Sequence, residues 1–211
     1  MKDVIDLRVS ELLCSHLCHE LVSPVGAISN GVEMIEEFDG DADADILALI
    51  RDSARITSLR LQFYRTAYGA AGAGSVRTDE DLRALADGLM QSGRSTINWT
   101  SDSLVSILND DQIKLLLNLA PLGADTLPRG GELSVGVKDS GAGPALSVVA
   151  TGEGARISAE VEEALRPEAS IDLLTPRCIH AYYCQCLAAR LGIRVQAAVR
   201  DDNCVEFSSI L

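Results

Sequence analysis

The chain has 211 residues, 47% of them hydrophobic, enough for two modest domains or one large one. Its formal net charge of −13 argues against non-specific nucleic-acid binding and against anionic membrane surfaces. Asp3 and Asp6 interrupt any apolar leader, and no apolar run approaches the ~18–20 residues that span a bilayer, so a cytoplasmic protein is expected.

From Val4 to Phe38, Leu13, Leu17, Leu21, Val25, Ile28, Val32 and Ile35 recur every three or four residues, as on one face of an amphipathic helix. At about 100° per residue, His19 lies roughly 200° from both Leu17 and Leu21, pointing away from the stripe into solvent. Ser15, His16, Ser23, Gly26, Ala27 and Asn30 share or border that outer face. Phe38-Asp39-Gly40 ends the helix, and Asp41, Asp43 and Asp45 open a second one, where acids suit the N-terminal dipole. The Asp-x-Asp-x-Asp spacing lacks the glycine of a calcium loop, since Ile46 holds that place. Ile46, Leu49, Ser53, Ile56 and Phe63 form the second stripe. Two such helices make an antiparallel hairpin, whose stripes two chains would bury as a four-helix bundle or one chain against its own remainder.

The run 69–75, rich in glycine and alanine, reads as the joint between a hairpin of residues 1–70 and a second domain of residues 76–211. Thr78 and Asp81 start a helix reaching about Gln91 in the manner of a capping box. A short strand at Ile97–Trp99, an apolar helix from Asp110 to about Leu122, and strands at Leu133–Val137 and Leu146–Ala150 follow. Helices at Ser158–Leu165 and Pro176–Leu191 and strands at Arg194–Val199 and Val205–Ile210 complete an α+β sandwich, helices covering one face of a largely antiparallel sheet. Six cysteines form no paired C-x-x-C set and read as small buried apolar residues rather than metal ligands. His180, on the apolar stretch Cys178–Leu187, reads as a core or interface residue.

His19-Glu20-Leu21-Val22-Ser23-Pro24-Val25 resembles the phosphoacceptor box of two-component histidine kinases, with Val22 where the box usually has Arg or Lys. The longer run His19–Met34 is closer still to the ChpT-type histidine phosphotransferases of alphaproteobacteria. The resemblance implies His19 as phosphorylated residue, Glu20 as adjacent acid and Ser23 as polar neighbour. His16, Val22, Gly26, Ala27 and Asn30 would form the partner-binding surface. The second domain resembles the ATP-binding (Bergerat) fold of histidine kinases with its chemistry altered. Asn118 matches the first asparagine of the N box, but Leu122 falls where the magnesium-holding asparagine belongs and Asp125 where a lysine does. Ala150 replaces the adenine-reading aspartate ahead of Gly152 and Gly154, and Thr175-Pro176-Arg177 replaces a glycine-rich phosphate cradle. Asp139–Gly143 also fits the aspartate motif but reads as a hairpin turn.

The resemblance thus implies a phosphotransferase working through a phosphohistidine, without a cofactor of its own; magnesium would come from partner receiver domains. The partners implied are a second copy of the chain, the receiver of a CckA-like hybrid kinase, and CtrA-like and CpdR-like response regulators. An ATP-dependent histidine kinase and a non-catalytic receiver-binding scaffold are the alternatives.

Overall fold

The computed structural model describes residues 6–37, 43–70, 76–91, 93–139 and 143–210. Helix α1, Leu7–Glu37, runs through Pro24 without a break, and α2, Ala44–Ala67, packs along it. Asp43 caps α2, its side chain accepting from the Asp45 N–H at 3.2 Å. The expected stop at Phe38–Gly40 and most of the joint, residues 71–75, lie outside the described residues. Gly31 sets how closely the helices approach: a Cβ there would fall 2.6 Å from Ile50 Cγ1. The apolar stripe is only partly covered. Leu13, Leu17, Leu21, Ile28 and Ile35 are half-buried, whereas Val25, Val32 and Leu49 are 45%, 43% and 45% exposed.

The remaining elements form a mixed sheet with helices against it. In chain order they are α3 Asp79–Met90, β1 Ser95–Trp99, α4 Asp110–Ala124, β2 Gly131–Asp139, β3 Pro144–Thr151, α5 Ala159–Ala164, α6 Ile179–Arg190, β4 Arg194–Asp201 and β5 Cys204–Ile210. The strand order is β1-β2-β3-β5-β4; β1 and β2 run parallel and the other neighbours antiparallel. The register places Val135, Val148 and Phe207 side by side, all buried, in one core with Leu115, Leu116, Leu117 and Leu119 of α4. Alternate positions turn the other way, where Glu206 pairs with Lys138 at 2.9 Å and Arg200 at 2.5 Å. Both faces are thus accounted for by the two-residue period. Of the turn read at Asp139–Gly143, residues 140–142 lie outside the described residues; Asp139 pairs with Pro144. The last helix starts at Ile179 rather than Pro176, because Thr175–Cys178 form a turn first. No described helix is long and apolar enough to cross a membrane.

Polar bonds tie the helical hairpin to this layer. Arg8 donates to the carbonyls of Ile171, Asp172 and Leu174 at 3.0–3.2 Å. At the end of α2, the Lys114 ammonium donates to the Gly69 carbonyl, and Asn118 Nδ2 to the Ala67 carbonyl at 3.1 Å. The last turn of a helix leaves carbonyls without intrahelical donors, and α4 supplies them.

Candidate phosphotransfer site

Pro24 shapes the backbone around His19. It has no N–H, so the carbonyl four residues earlier, that of Glu20, loses its helical donor. Arg60 of α2 donates to that carbonyl and also lies 3.5 Å from the Glu20 carboxylate. The turn bearing His19 is held in place from the neighbouring helix.

His19 is exposed, at the mouth of a cleft of about 890 Å³ between α1 and the loops that lead into α5 and α6. The opposite wall carries Leu122, Asp125, Arg156, Glu160, Thr175 and Arg177. Ser23, Val22 and Asn30 are exposed, Val22 to 67%, and Gly26 and Ala27 are half-buried. A Cβ on Gly26 would meet nothing within 4 Å, so this flank of α1 is open. Glu20 is turned toward Arg60 rather than presented freely. His16 turns from the outer face toward α6 and is half-buried beside His180. Cys14 and Cys18 are exposed on α1, contrary to the buried role expected of the cysteines, whereas Cys178 and Cys184 are buried. Among the described residues nothing covers those two positions.

The electrostatics of the cleft is set by burial. Asp125 is exposed as a residue, yet chain crowds its carboxyl; this desolvation, then the Glu20 charge, pushes it up to about 6. Burial lowers His16, partly offset by Glu20. Burial, then the nearby His16, pushes His180 down to about 3.

The positions matched to nucleotide contacts are distributed unevenly. Leu122 and Thr175–Arg177 line the cleft, whereas Ala150 is buried in β3 between Leu133 and Val205. The glycine loop after β3 has its donors occupied. Gly152 N–H donates to the Asn203 carbonyl at 2.9 Å, and Gly154 N–H to Asn203 Oδ1 at 3.0 Å. Ahead of α6, Thr175 N–H donates to Cys178 Sγ and Arg177 N–H to Thr175 Oγ1, both at 3.3 Å.

Sequence reasoning missed Arg60, Arg156 and the grouping of His16, His180 and Asn118. One signal was available for Arg60: a proline four residues after Glu20 implies a carbonyl in need of a donor.

Residues 79–203 match the family model described as histidine phosphotransferase C-terminal domain. Over 193 residues the chain is 37% identical to protein phosphotransferase ChpT of Brucella abortus (strain 2308), which covers 90% of this chain and 89% of that protein. A solved structure, described as that of a bacterial phosphotransferase at 1.7 Å, superposes with a TM-score of 0.81 at 32% identity, over 98% of both chains. The Acinetobacter baumannii histidine kinase AdeS gives a TM-score of 0.48 at 15% identity, over 90% of this chain and 95% of that one. The chain belongs to the ChpT-type histidine phosphotransferases, proteins of two-component phosphorelays.

Proposed function

We propose that His19 carries the phosphoryl group between the receiver aspartate of a hybrid sensor kinase and the receivers of response regulators in the cytoplasm, without ATP. The observation that carries this reading is an exposed imidazole on an unbroken helix whose Gly26–Ala27 flank stays low. A neutral ring nitrogen attacks the phosphorus of the aspartyl phosphate in line. The N–P bond forms as the P–O bond to the aspartate breaks, and the carboxylate leaves with its electron pair. The ring N–H proton is lost to solvent or retained as the ring's charge. At the second receiver the carboxylate attacks and the imidazole leaves. The receivers supply magnesium, so this chain contributes position and access.

Residues 1–70 act as the dimerising, phosphate-bearing unit and 76–211 as a degenerate ATPase-like domain. Support for ATP independence comes from the glycine-loop and α6 donors being already engaged. Glu20 steadies the acceptor turn through Arg60, and Ser23, Val22, Gly26, Ala27 and Asn30 form the receiver's landing surface on α1. Arg156 and Arg177 on the far wall of the cleft offer it a second, smaller contact.

The test mixes the purified chain with a phosphorylated receiver domain and maps acid-labile phosphate. His19→Ala should abolish acceptance and leave stability within about 0.5 kcal/mol, since an exposed side chain buries little. Transfer by the variant at the native rate removes His19 from the reaction. Phosphate reaching His19 from ATP alone would make the chain a kinase; binding of receivers with no phosphate on the chain would make it a scaffold.

A further inference from the structure

The junction between α1 and α6 holds two histidines that phosphoryl transfer itself does not use. His16 lies one turn before His19, and its ring centroid is 5.7 Å from that of His180, with the planes tilted by 31°. The Pro176 backbone lies beside the His16 ring. His180 is 4% exposed, and its Nε2 lies 3.1 Å from Asn118 Oδ1.

The hydrogen-bond roles follow from Asn118. Its Nδ2 donates to the carbonyls of Ala67 at 3.1 Å and Lys114 at 2.8 Å, so its oxygen faces His180. An amide oxygen accepts only, so Nε2 of His180 carries the proton and Nδ1 of the neutral ring is bare. A second proton would place a charge in a buried site facing another imidazole.

The neighbours modulate this without removing it. Glu20 and His19 face the pair from α1, Arg60, Tyr64 and Tyr68 from α2, and Asp125 from the end of α4. Cys184 lies on α6 itself, and Arg177 shares the cleft with His16 just ahead of α6. Glu20 favours a charged His16, but desolvation outweighs it.

We propose that His16 and His180 form a proton-sensitive latch that positions His19. With both rings neutral, α1 rests on α6 and His19 faces the cleft; with either ring protonated, the contact stays open and transfer slows. This rests on His19 being the phosphoryl acceptor.

Latching disfavours the proton, so the opening constant is flat well above the ordinary histidine value of 6.5 and rises as pH falls below it. For a ring that regains this value when released, the rise between pH 7.5 and 5.5 is about tenfold. Asp125 holds its proton more tightly when crowded and works in the opposite direction below about 6.

Hydrogen exchange on the full chain without any receiver, corrected for intrinsic pH dependence, reads the latch over residues 7–20 and 175–190. Protection in the native chain should fall severalfold from pH 7.5 to 5.5, the roughly tenfold change of one ring being offset in part by Asp125. His180→Gln keeps a donor for Asn118 and takes no proton there, so its protection should fall less than that of the native chain, and the double variant with His16→Gln should not fall; His16→Gln alone serves if His180→Gln fails to fold. Asp125→Asn should steepen the native fall. Unchanged native protection, or an equal fall in the glutamine variant, overturns the latch. A second measurement is the ratio of transfer rates, His180→Gln over native, at each pH. This ratio cancels pH effects common to both proteins. It should rise toward tenfold at pH 5.5, and a flat ratio overturns the positioning role. Failure of His19 as acceptor would silence transfer in every variant while leaving the exchange result standing.

Discussion

Arg60 gives Glu20 the hydrogen bond that Pro24 withholds: its guanidinium donates to the Glu20 carbonyl and lies 3.5 Å from the carboxylate of the same residue. The two contacts separate by mutation. Arg60→Met removes both and should lower stability by about 1–2 kcal/mol, the scale of a charge-assisted bond to a partly buried carbonyl. Glu20→Gln removes the partly exposed ion pair alone and should stay within about 0.5 kcal/mol. Urea melts of the two variants check this, and equal losses would mean that the ion pair, not the carbonyl contact, holds the turn.

Val25 and Leu49, each 45% exposed, belong to the stripes expected to meet a second copy of the chain. Leu47 and Leu61 of α2 are exposed apolar side chains as well. Burying one such side chain contributes about 1.5–3 kcal/mol. Val25→Asp should therefore weaken a four-helix-bundle dimer at least about tenfold. Light scattering at micromolar concentration should find the native chain dimeric and the variant largely monomeric. A native monomer would leave the stripe to be covered by something else.

Magnesium-ATP should give no calorimetric signal at physiological concentration. Leu122 has no oxygen for a hard cation, Ala150 has no acceptor for the adenine amino group, and Pro176 has no N–H. Losing one charged acceptor alone costs about 1.5–3 kcal/mol, about ten- to a hundred-fold in affinity. Leu122→Asn by itself should therefore restore nothing, because the glycine-loop donors remain bonded to Asn203. Micromolar binding by the native chain would overturn the ATP-independent reading.

Asp125 gives stability a pH dependence of known sign. Its folded value of about 6 exceeds the ordinary 3.8, so the folded state binds the proton more tightly. The residue's contribution rises as pH falls from about 6 toward 3.8 and is lost as pH climbs through 6. Asp125→Asn should accordingly raise the urea midpoint at pH 7.5 and lose that advantage near pH 4. Water at the residue's exposed edge keeps the difference below about 1 kcal/mol. A variant less stable than native at pH 7.5 would show that the carboxylate is favourably paired.

Periodicity and caps made most elements legible. The Thr78–Asp81 box forms as read, with both reciprocal bonds present, and β3 and β5 contain the strands read at Leu146–Ala150 and Val205–Ile210. The Asn109–Gln112 box at the start of α4 has the same chemistry and went unread, because Gln112 is a less conspicuous partner than an acid. His19's outward phase followed from helix geometry alone. Contacts between distant residues did not. Arg60 with Glu20, His180 with Asn118, and Arg8 with the 171–174 carbonyls are separated by 40, 62 and more than 160 residues. Periodicity tells which side of an element is apolar, not which distant side chain meets its carbonyls. His16 illustrates the limit: its phase bordered the outer face, yet α6 approaches that edge of α1 and takes the ring inward.

Asn118 holds the Ala67 carbonyl at the end of α2 and Lys114 that of Gly69 just beyond it, so the helix carrying one wall of the junction ends against side chains of α4. With α1 also resting on α6, a junction pinned in this way sets the span between His19 and the far rim of the cleft. For any protein that touches both, the second touch is intramolecular, and its strength is an effective concentration rather than an affinity. That concentration is high for a partner whose own span matches and collapses for one that misses by a few ångströms. Two weak surfaces at a constant separation thereby act as a gauge, admitting partners by their dimensions as well as by their chemistry.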